Sequence, residues 1–475
     1  MNKNIFLLTV SVLYSNSIVA NINDVASKNI LFIICDDLRP ELNCYGNSMI
    51  VSPNIDKLAE NSVVFNRAYC NIPVSGASRA SIFTGLRPTK SRFVSWNARV
   101  DKDAPNAVTL QKRFKDAGYI TIANGKVYHN QDEASKKYWD KIFYPEESPH
   151  LWYQTDYNKN LMKKKEENPK LKRGLYYEYS DCPDSLLVDW TIAEKSISDL
   201  WDLKSSDKPF LMSIGFIRPH LPFIVSQKYW DLYDDEKITI PDNYVLKEGN
   251  LIPKAALWNG GELSQYSGIR KRHLDMADAK KMIHGYYASV SCVDVQVGRV
   301  LDALKKTGLN KTTIVVFIGD HGWNLGEHGM WCKNTILNTS LRSTLMISHP
   351  EYRKGEKCNE IVEFVDLYPT ICEMAGIEYP LSMEGESILP LVVYDTAKSK
   401  GYCVSRWNNG FTLIKDNYFY TEWRDKQNML VDNLLFDHIN DSCENYNVVQ
   451  KKEYYRTVKD LSEFLNRHIG RDYLK

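Results

Sequence analysis

The chain has 475 residues, 43% hydrophobic and 25% charged, with a formal net charge of +1. That length and balance suit one large α/β domain with a smaller appendage and exclude an extended disordered polymer. A near-neutral chain gives no electrostatic reason to expect a nucleic acid partner.

Residues 1–20 read as a signal peptide: Lys3 gives the positive flank, residues 5–13 an apolar core, and residues 17–20 small side chains near a cleavage point. The core is too short to span a bilayer, and no later segment approaches the ~20 apolar residues a span needs. A soluble exported protein, periplasmic or secreted, is the expectation. No cysteine closely follows the core, which argues against lipid attachment there.

Residues 29–34 form an apolar run with no polar interruption after Asn29, as in a strand covered on both faces, and end in Cys35-Asp36-Asp37. Residues 53–60 follow as a helix opened by Pro53. Residues 78–85 give a short helical pattern closed by Gly85, which places Ser75 near a positive helix start and points Arg79 back toward it. A plain serine cap is the competing reading of Ser75.

Residues 108–118 predict an amphipathic helix ended by glycine, and the weaker strand at 119–123 leads into Lys126 and His129. Lys163-Lys164-Lys165 and Arg270-Lys271-Arg272 read as solvated loop charge, with contact to an anionic polymer as the alternative. Residues 210–217 predict a third strand, followed by Arg218-Pro219-His220. Residues 281–304 keep a helical period through Tyr287, Val290, Asp294, Val297 and Leu301. Residues 313–318 repeat the first pattern and run into Asp320-His321. Near the C-terminus, residues 410–414 and 418–421 flank a Lys-Asp-Asn turn as a hairpin would.

Alternating strands and helices indicate a mostly parallel sheet with crossovers. Ligands then bind outside the carboxyl ends of the strands, so four separate strand ends are expected to build one site. Asp36, Asp37, Asp320 and His321 offer three carboxylates and an imidazole, a mainly oxygen set suited to a hard divalent cation such as calcium, for which histidine is atypical. The ten cysteines lack paired metal spacing; Cys35, Cys292 and Cys372 fall in apolar patterns as small buried hydrophobes. His129, His220, Lys126 and Lys333, each taken alone, are ordinary core or surface side chains.

Together these residues resemble the type I sulfatases of the alkaline-phosphatase-like superfamily, nearly end to end. In that family a signature cysteine or serine, with alanine or proline two positions on and arginine four positions on, is oxidised to formylglycine; Ser75, Ala77 and Arg79 match it, and Thr84-Gly85 and Arg87-Pro88 continue it. Cys70 does not match, because Ile72 and Val74 stand where the signature needs proline or alanine and arginine.

Within the family the iduronate-2-sulfatase branch is the most similar, through Asp36-Asp37-Leu38-Arg39-Pro40, Gly125-Lys126-Val127, Pro219-His220 and Asp320-His321-Gly322-Trp323. Many relatives carry asparagine where this chain has His321. Leu435-Phe436-Asp437 with Asp441 and Glu444 resembles the family's C-terminal motif. Similarity weakens across residues 138–180 and after 402, where substrate specificity is expected to be set.

The resemblance implies an alkaline-phosphatase-like fold: a large mixed sheet flanked by helices over residues 26–395, then a smaller subdomain over 396–475 with an antiparallel sheet and a helix. It implies one divalent ion, calcium, held by Asp36, Asp37, Asp320, His321 and the 3-oxoalanine (formylglycine) made from Ser75. Arg79 and Lys126 would stabilise the aldehyde hydrate and the sulfate charge. His129 would take the proton when the intermediate collapses. His220 would act as general acid at the leaving oxygen, with Lys333 a sulfate ligand.

The serine form further implies maturation by a radical enzyme in the cytoplasm before export, as in anaerobic bacteria. The implied substrate is a sulfated oligosaccharide, specifically a 2-sulfated uronic acid of heparin, heparan, dermatan or chondroitin fragments. Arg270, Arg272 and His273 are candidate partners for its carboxylate, and Trp323 and His328 either line the pocket or pack the core. Another sulfated polysaccharide, or a two-zinc phosphatase or phosphodiesterase chemistry of the superfamily, stands as the alternative.

Overall fold

A computed structural model describes residues 28–130, 133, 137–145, 151–257, 261–269 and 274–469. The signal-like segment, Arg270, Lys271, Arg272 and His273 lie outside these residues. No helix among the described residues is long and apolar enough to cross a membrane.

The chain enters a central sheet through β1 (Asn29–Cys35), then passes through α1 (Pro53–Ala59), β2 (Val63–Phe65), α2 (Ser75–Thr84) and α3 (Leu110–Asp116). It continues with β3 (Ile120–Gly125), β4 (Lys141–Phe143), α4 (Val188–Leu203), β5 (Phe210–Phe216) and α5 (Met276–Lys306). β6 (Thr313–Gly319), β7 (Leu345–Ser348), β8 (Glu356–Cys358) and α6 (Leu367–Met374) complete this part. The eight strands lie in the order β8-β2-β7-β6-β1-β5-β3-β4. β6, β1, β5, β3 and β4 pair in parallel, and β7 runs antiparallel to both its neighbours. All four apolar runs with polar ends are therefore neighbouring strands of one sheet.

The unbroken apolar run of β1 has a plain cause. Ile30, Phe32 and Ile34 face one core layer with α2, α3 and α6, while Leu31, Ile33 and Cys35 face the other with α4 and α5. A strand buried on both faces has no position to spare for a polar residue. Asp294, on the buried side of α5, accepts from the Asn54 and Ile55 amides at 3.1 and 2.7 Å and so caps α1 from a distance. Burial, only partly offset by these donors, pushes its carboxyl up to about 6.

A second sheet is antiparallel, in the order β9 (Tyr402–Trp407), β10 (Gly410–Lys415), β11 (Tyr418–Arg424) and β12 (Leu430–Asp437), with α7 (Tyr455–Ile469) packed on it. The hairpin read from sequence is β10 and β11. The sheet clasps the main body next to α2. Arg406 N donates to Asn71 O at 2.9 Å, Ser405 Oγ to Cys70 O at 2.5 Å, and Asn71 Nδ2 to Val404 O at 2.9 Å. The Lys163-Lys164-Lys165 run is helical, within Asp156–Glu167, rather than loop. Cys35, Cys292 and Cys372 are buried, and each is a free thiol.

Candidate active site

The ends of β1 and β6 are locked together by backbone. Asp320 N donates to Cys35 O at 3.2 Å, and Asp37, with a left-handed φ of 65°, donates its amide to Asp320 Oδ1 at 3.1 Å. Gly319 is required here, since a Cβ would stand 2.0 Å from Leu38 O. Both acidic pairs are fully buried and face each other.

Ser75 is the first residue of α2, so the helix starts three residues before the pattern suggested. Its side chain caps nothing. Ser75 Oγ, 2% exposed, donates to Asp36 Oδ1 at 2.8 Å and lies 3.0 Å from His321 Nε2. One turn along, Arg79 Nε donates to Asp320 Oδ2 at 2.9 Å, with Nη2 3.4 Å from Asp36 Oδ1. Burial alone would lower the Arg79 pKa, but Asp320 and Asp36 hold the guanidinium charged. Lys126, just beyond β3, pairs with Asp36 Oδ2.

The histidine tautomers follow from their carbonyl partners. His321 Nδ1 lies 2.9 Å from Gly322 O, which can only accept, so Nδ1 carries the proton and Nε2 presents its lone pair to Ser75 and the acids. Burial lowers its pKa and keeps it neutral. His220 Nδ1 likewise donates to Leu221 O at 2.6 Å, leaving Nε2 3.2 Å from Glu262 and 3.8 Å from Asp37. Lys333 Nζ lies 3.0 Å from Asp37 and 3.1 Å from Glu262. Although burial opposes it, these two carboxylates push the ammonium well above the usual lysine range.

Asp36, Asp37, Asp320 and His321 each offer a ligand atom within 4.8 Å of the others. This donor set suits a divalent cation: three buried carboxylates repel one another, and Asp37 Oδ1 has no hydrogen bond of good geometry, only the ion pair with Lys333. Burial and then Asp36, Glu262 and Asp320 push the Asp37 carboxyl well up despite Lys333. Asp36 goes the other way. Burial would raise it, but Lys126, His220, Arg79 and Lys333 hold it well below the usual range. A second group, Asp37, His220 and Glu262, also meets metal spacing. There Lys333 already supplies the positive charge, so a second cation is not needed.

His129 is half-buried at the rim, its Nδ1 without a hydrogen bond and its ring edge-on to Trp96 with centroids 5.8 Å apart. Burial first, then Lys126, keeps it neutral. Trp323 belongs to the core rather than to a pocket wall: it is fully buried, stacks with Tyr286 and lies under Lys333 at 5.0 Å. His328 is also structural, with Nε2 2.9 Å from Glu444 O. Glu444 in turn accepts from Asn338 N at 3.0 Å, so the C-terminal motif braces the segment that carries Lys333.

Glu262 escaped the sequence reading. It follows a Gly-Gly pair in a stretch of short turns and lacks the strand-end context that marked the other acids.

Residues 28–377 match the family model described as sulfatase, and residues 326–470 match that of the N-sulphoglucosamine sulphohydrolase C-terminal region. Over 394 residues the chain is 32% identical to iduronate 2-sulfatase of Homo sapiens, covering 74% of this chain and 70% of that one. It is 31% identical over 425 residues to a sulfatase of Formosa agariphila, covering 86% and 82%. In fold it is similar to the phosphonate monoester hydrolase of Silicibacter pomeroyi, with TM-score 0.76, 21% identity, and 94% and 95% of the two chains covered. That likeness speaks for architecture alone; the sequence matches go further, and by them this chain belongs to the sulfatase family and is a sulfuric ester hydrolase.

Proposed function

We propose that the enzyme hydrolyses a sulfate ester of a glycan, using formylglycine made from Ser75 by a serine-type radical maturase and one calcium ion as cofactors. The substrate we infer is a 2-O-sulfated uronic acid of heparin, heparan, dermatan or chondroitin fragments, on the likeness to human iduronate 2-sulfatase. The observation that carries the reading is the direction of Ser75: its Oγ points into the acidic group instead of capping its own helix.

Asp36, Asp37, Asp320, His321 and the oxidised Ser75 would hold the cation, which supplies a Lewis-acid contact to sulfate and a lowered hydroxyl pKa. Oxidation of Ser75 would supply what serine lacks, an aldehyde carbon able to carry two hydroxyls when hydrated, so that one could serve as nucleophile and the other release sulfate with return of the aldehyde. Arg79 and Lys126 help to keep Asp36 ionised and add positive charge where sulfate negative charge must be held. His129, neutral and with an unpaired Nδ1, is able to accept a proton at the rim. His220 Nε2 faces Glu262, so a proton placed there is held between carboxylate and leaving oxygen; Lys333 steadies the same oxygen.

Co-production with a serine-type maturase followed by mass spectrometry of the tryptic peptide 68–79 tests the nucleophile. Loss of two hydrogens at Ser75 is expected, and Ser75→Ala should fold yet release no sulfate. Retained sulfate release by that variant would remove Ser75 from the reaction. A panel of desulfation assays on 2-O-, 4-O- and 6-O-sulfated disaccharides tests the position; preference for a hexosamine sulfate would overturn the uronate assignment.

A further inference from the structure

Trp96 is the most exposed tryptophan among the described residues, at 60%. Its indole faces water at the mouth of the site, next to His129. Its backbone lies across α2 directly after Ser75: a Cβ on Gly76 would stand 1.9 Å from Trp96 O, so only glycine admits the loop. Its ring meets His129 at 66° between planes.

The loop is tied down rather than loose. Phe93 is buried with φ 54° and donates its amide to Asp103 Oδ2 at 3.3 Å, and Asn130 Nδ2 donates to Ala98 O at 3.3 Å. Thr89 N donates to Arg92 O at 2.8 Å, closing the base. The loop therefore holds the Trp96 backbone against the start of α2 beside Ser75 while its ring reaches His129, and polar Ser95 and Asn97 flank it. An isolated aromatic ring among polar neighbours matches the apolar C–H face of a sugar better than a protein partner, which would need a continuous apolar patch.

We propose that Trp96 is a stacking platform for a pyranose ring of the substrate next to the scissile ester, and so a specificity-determining residue. The proposal rests on the glycan reading above. Trp96→Ala and Trp96→Phe, co-produced with the maturase and matched to wild type in thermal midpoint, separate the two. With a sulfated disaccharide, Trp96→Ala should raise KM about tenfold and Trp96→Phe no more than about threefold, with kcat carrying the smaller part of each change. An unchanged KM in Trp96→Ala, or a loss confined to kcat, overturns the platform while leaving the glycan reading intact. Failure of the wild type to desulfate any saccharide while it cleaves a small aryl sulfate overturns both.

Discussion

Glu363→Gln isolates the charge cluster that fastens the approach to Ser75. Glu363 is 1% exposed, pairs with Arg87, lies 2.5 Å from Lys400 Nζ, and accepts from Asn71 Nδ2 at 2.6 Å. Burial alone would raise its carboxyl, but Lys400 and Arg87 hold it at about 2 against an ordinary 4.5. At roughly 1.4 kcal/mol per pKa unit, that difference corresponds to about 3 kcal/mol of stability near neutral pH. Because the folded value is depressed, the contribution is complete above about 4.5 and is lost as pH falls toward 2. Asp366, raised by burial and by Glu363 despite Lys400, works in the opposite sense and offsets part of it. The amide keeps the shape and leaves buried Lys400 with Asp366 as its carboxylate partner, a loss in the range of about 3 kcal/mol known for breaking buried pairs. Urea unfolding followed by tryptophan fluorescence reads it, as a lower midpoint near neutral pH and a flatter pH dependence of that midpoint than wild type as pH falls from about 4.5 toward 2. A midpoint equal to wild type at neutral pH would refute the assignment of that energy to Glu363.

Gly76→Ala should cost stability by roughly 1–3 kcal/mol and most of the sulfate release, since the new Cβ meets backbone that cannot swing aside; thermal melting and initial rates check both. Glu262→Gln keeps the shape but not the charge between His220 and Lys333, and should lower kcat about tenfold or more with a smaller effect in KM. Equal kinetics in that variant would show Glu262 to be a bystander. Chelation should abolish turnover and lower the melting midpoint, because the facing carboxylates lose their counter-charge; added calcium should restore both.

The strands that lead into the site could be read from sequence because they are buried on both faces, and α1, α3 and α5 because their apolar residues keep a helical period. β1, β5 and β6 were legible because no polar residue interrupts them, and the polar residues just past them had only one edge of the sheet to go to. β2, β7 and β8 are short and lie at or near the sheet's edge, where a run of three or four residues carries no period. The direction of Ser75 could not be read either: a serine at a helix start has two uses, and only the meeting of β1, β6 and α2 decides between them. Glu262 and Trp96 reach the site from irregular segments, placed by contacts distant in sequence. The Lys163-Lys164-Lys165 run misled because three successive lysines look like a loop, although a helix also presents such a run to water.

The concealment of Ser75 sets an order of events. With its hydroxymethyl group 2% exposed and the preceding residues stitched into the second sheet, a macromolecule cannot reach it once the chain has collapsed. Any enzyme that alters this side chain has to work on an open polypeptide. If Ser75 works as proposed above, a copy that folds untouched is then a permanently silent one, and supplying the missing partner afterwards does not rescue it.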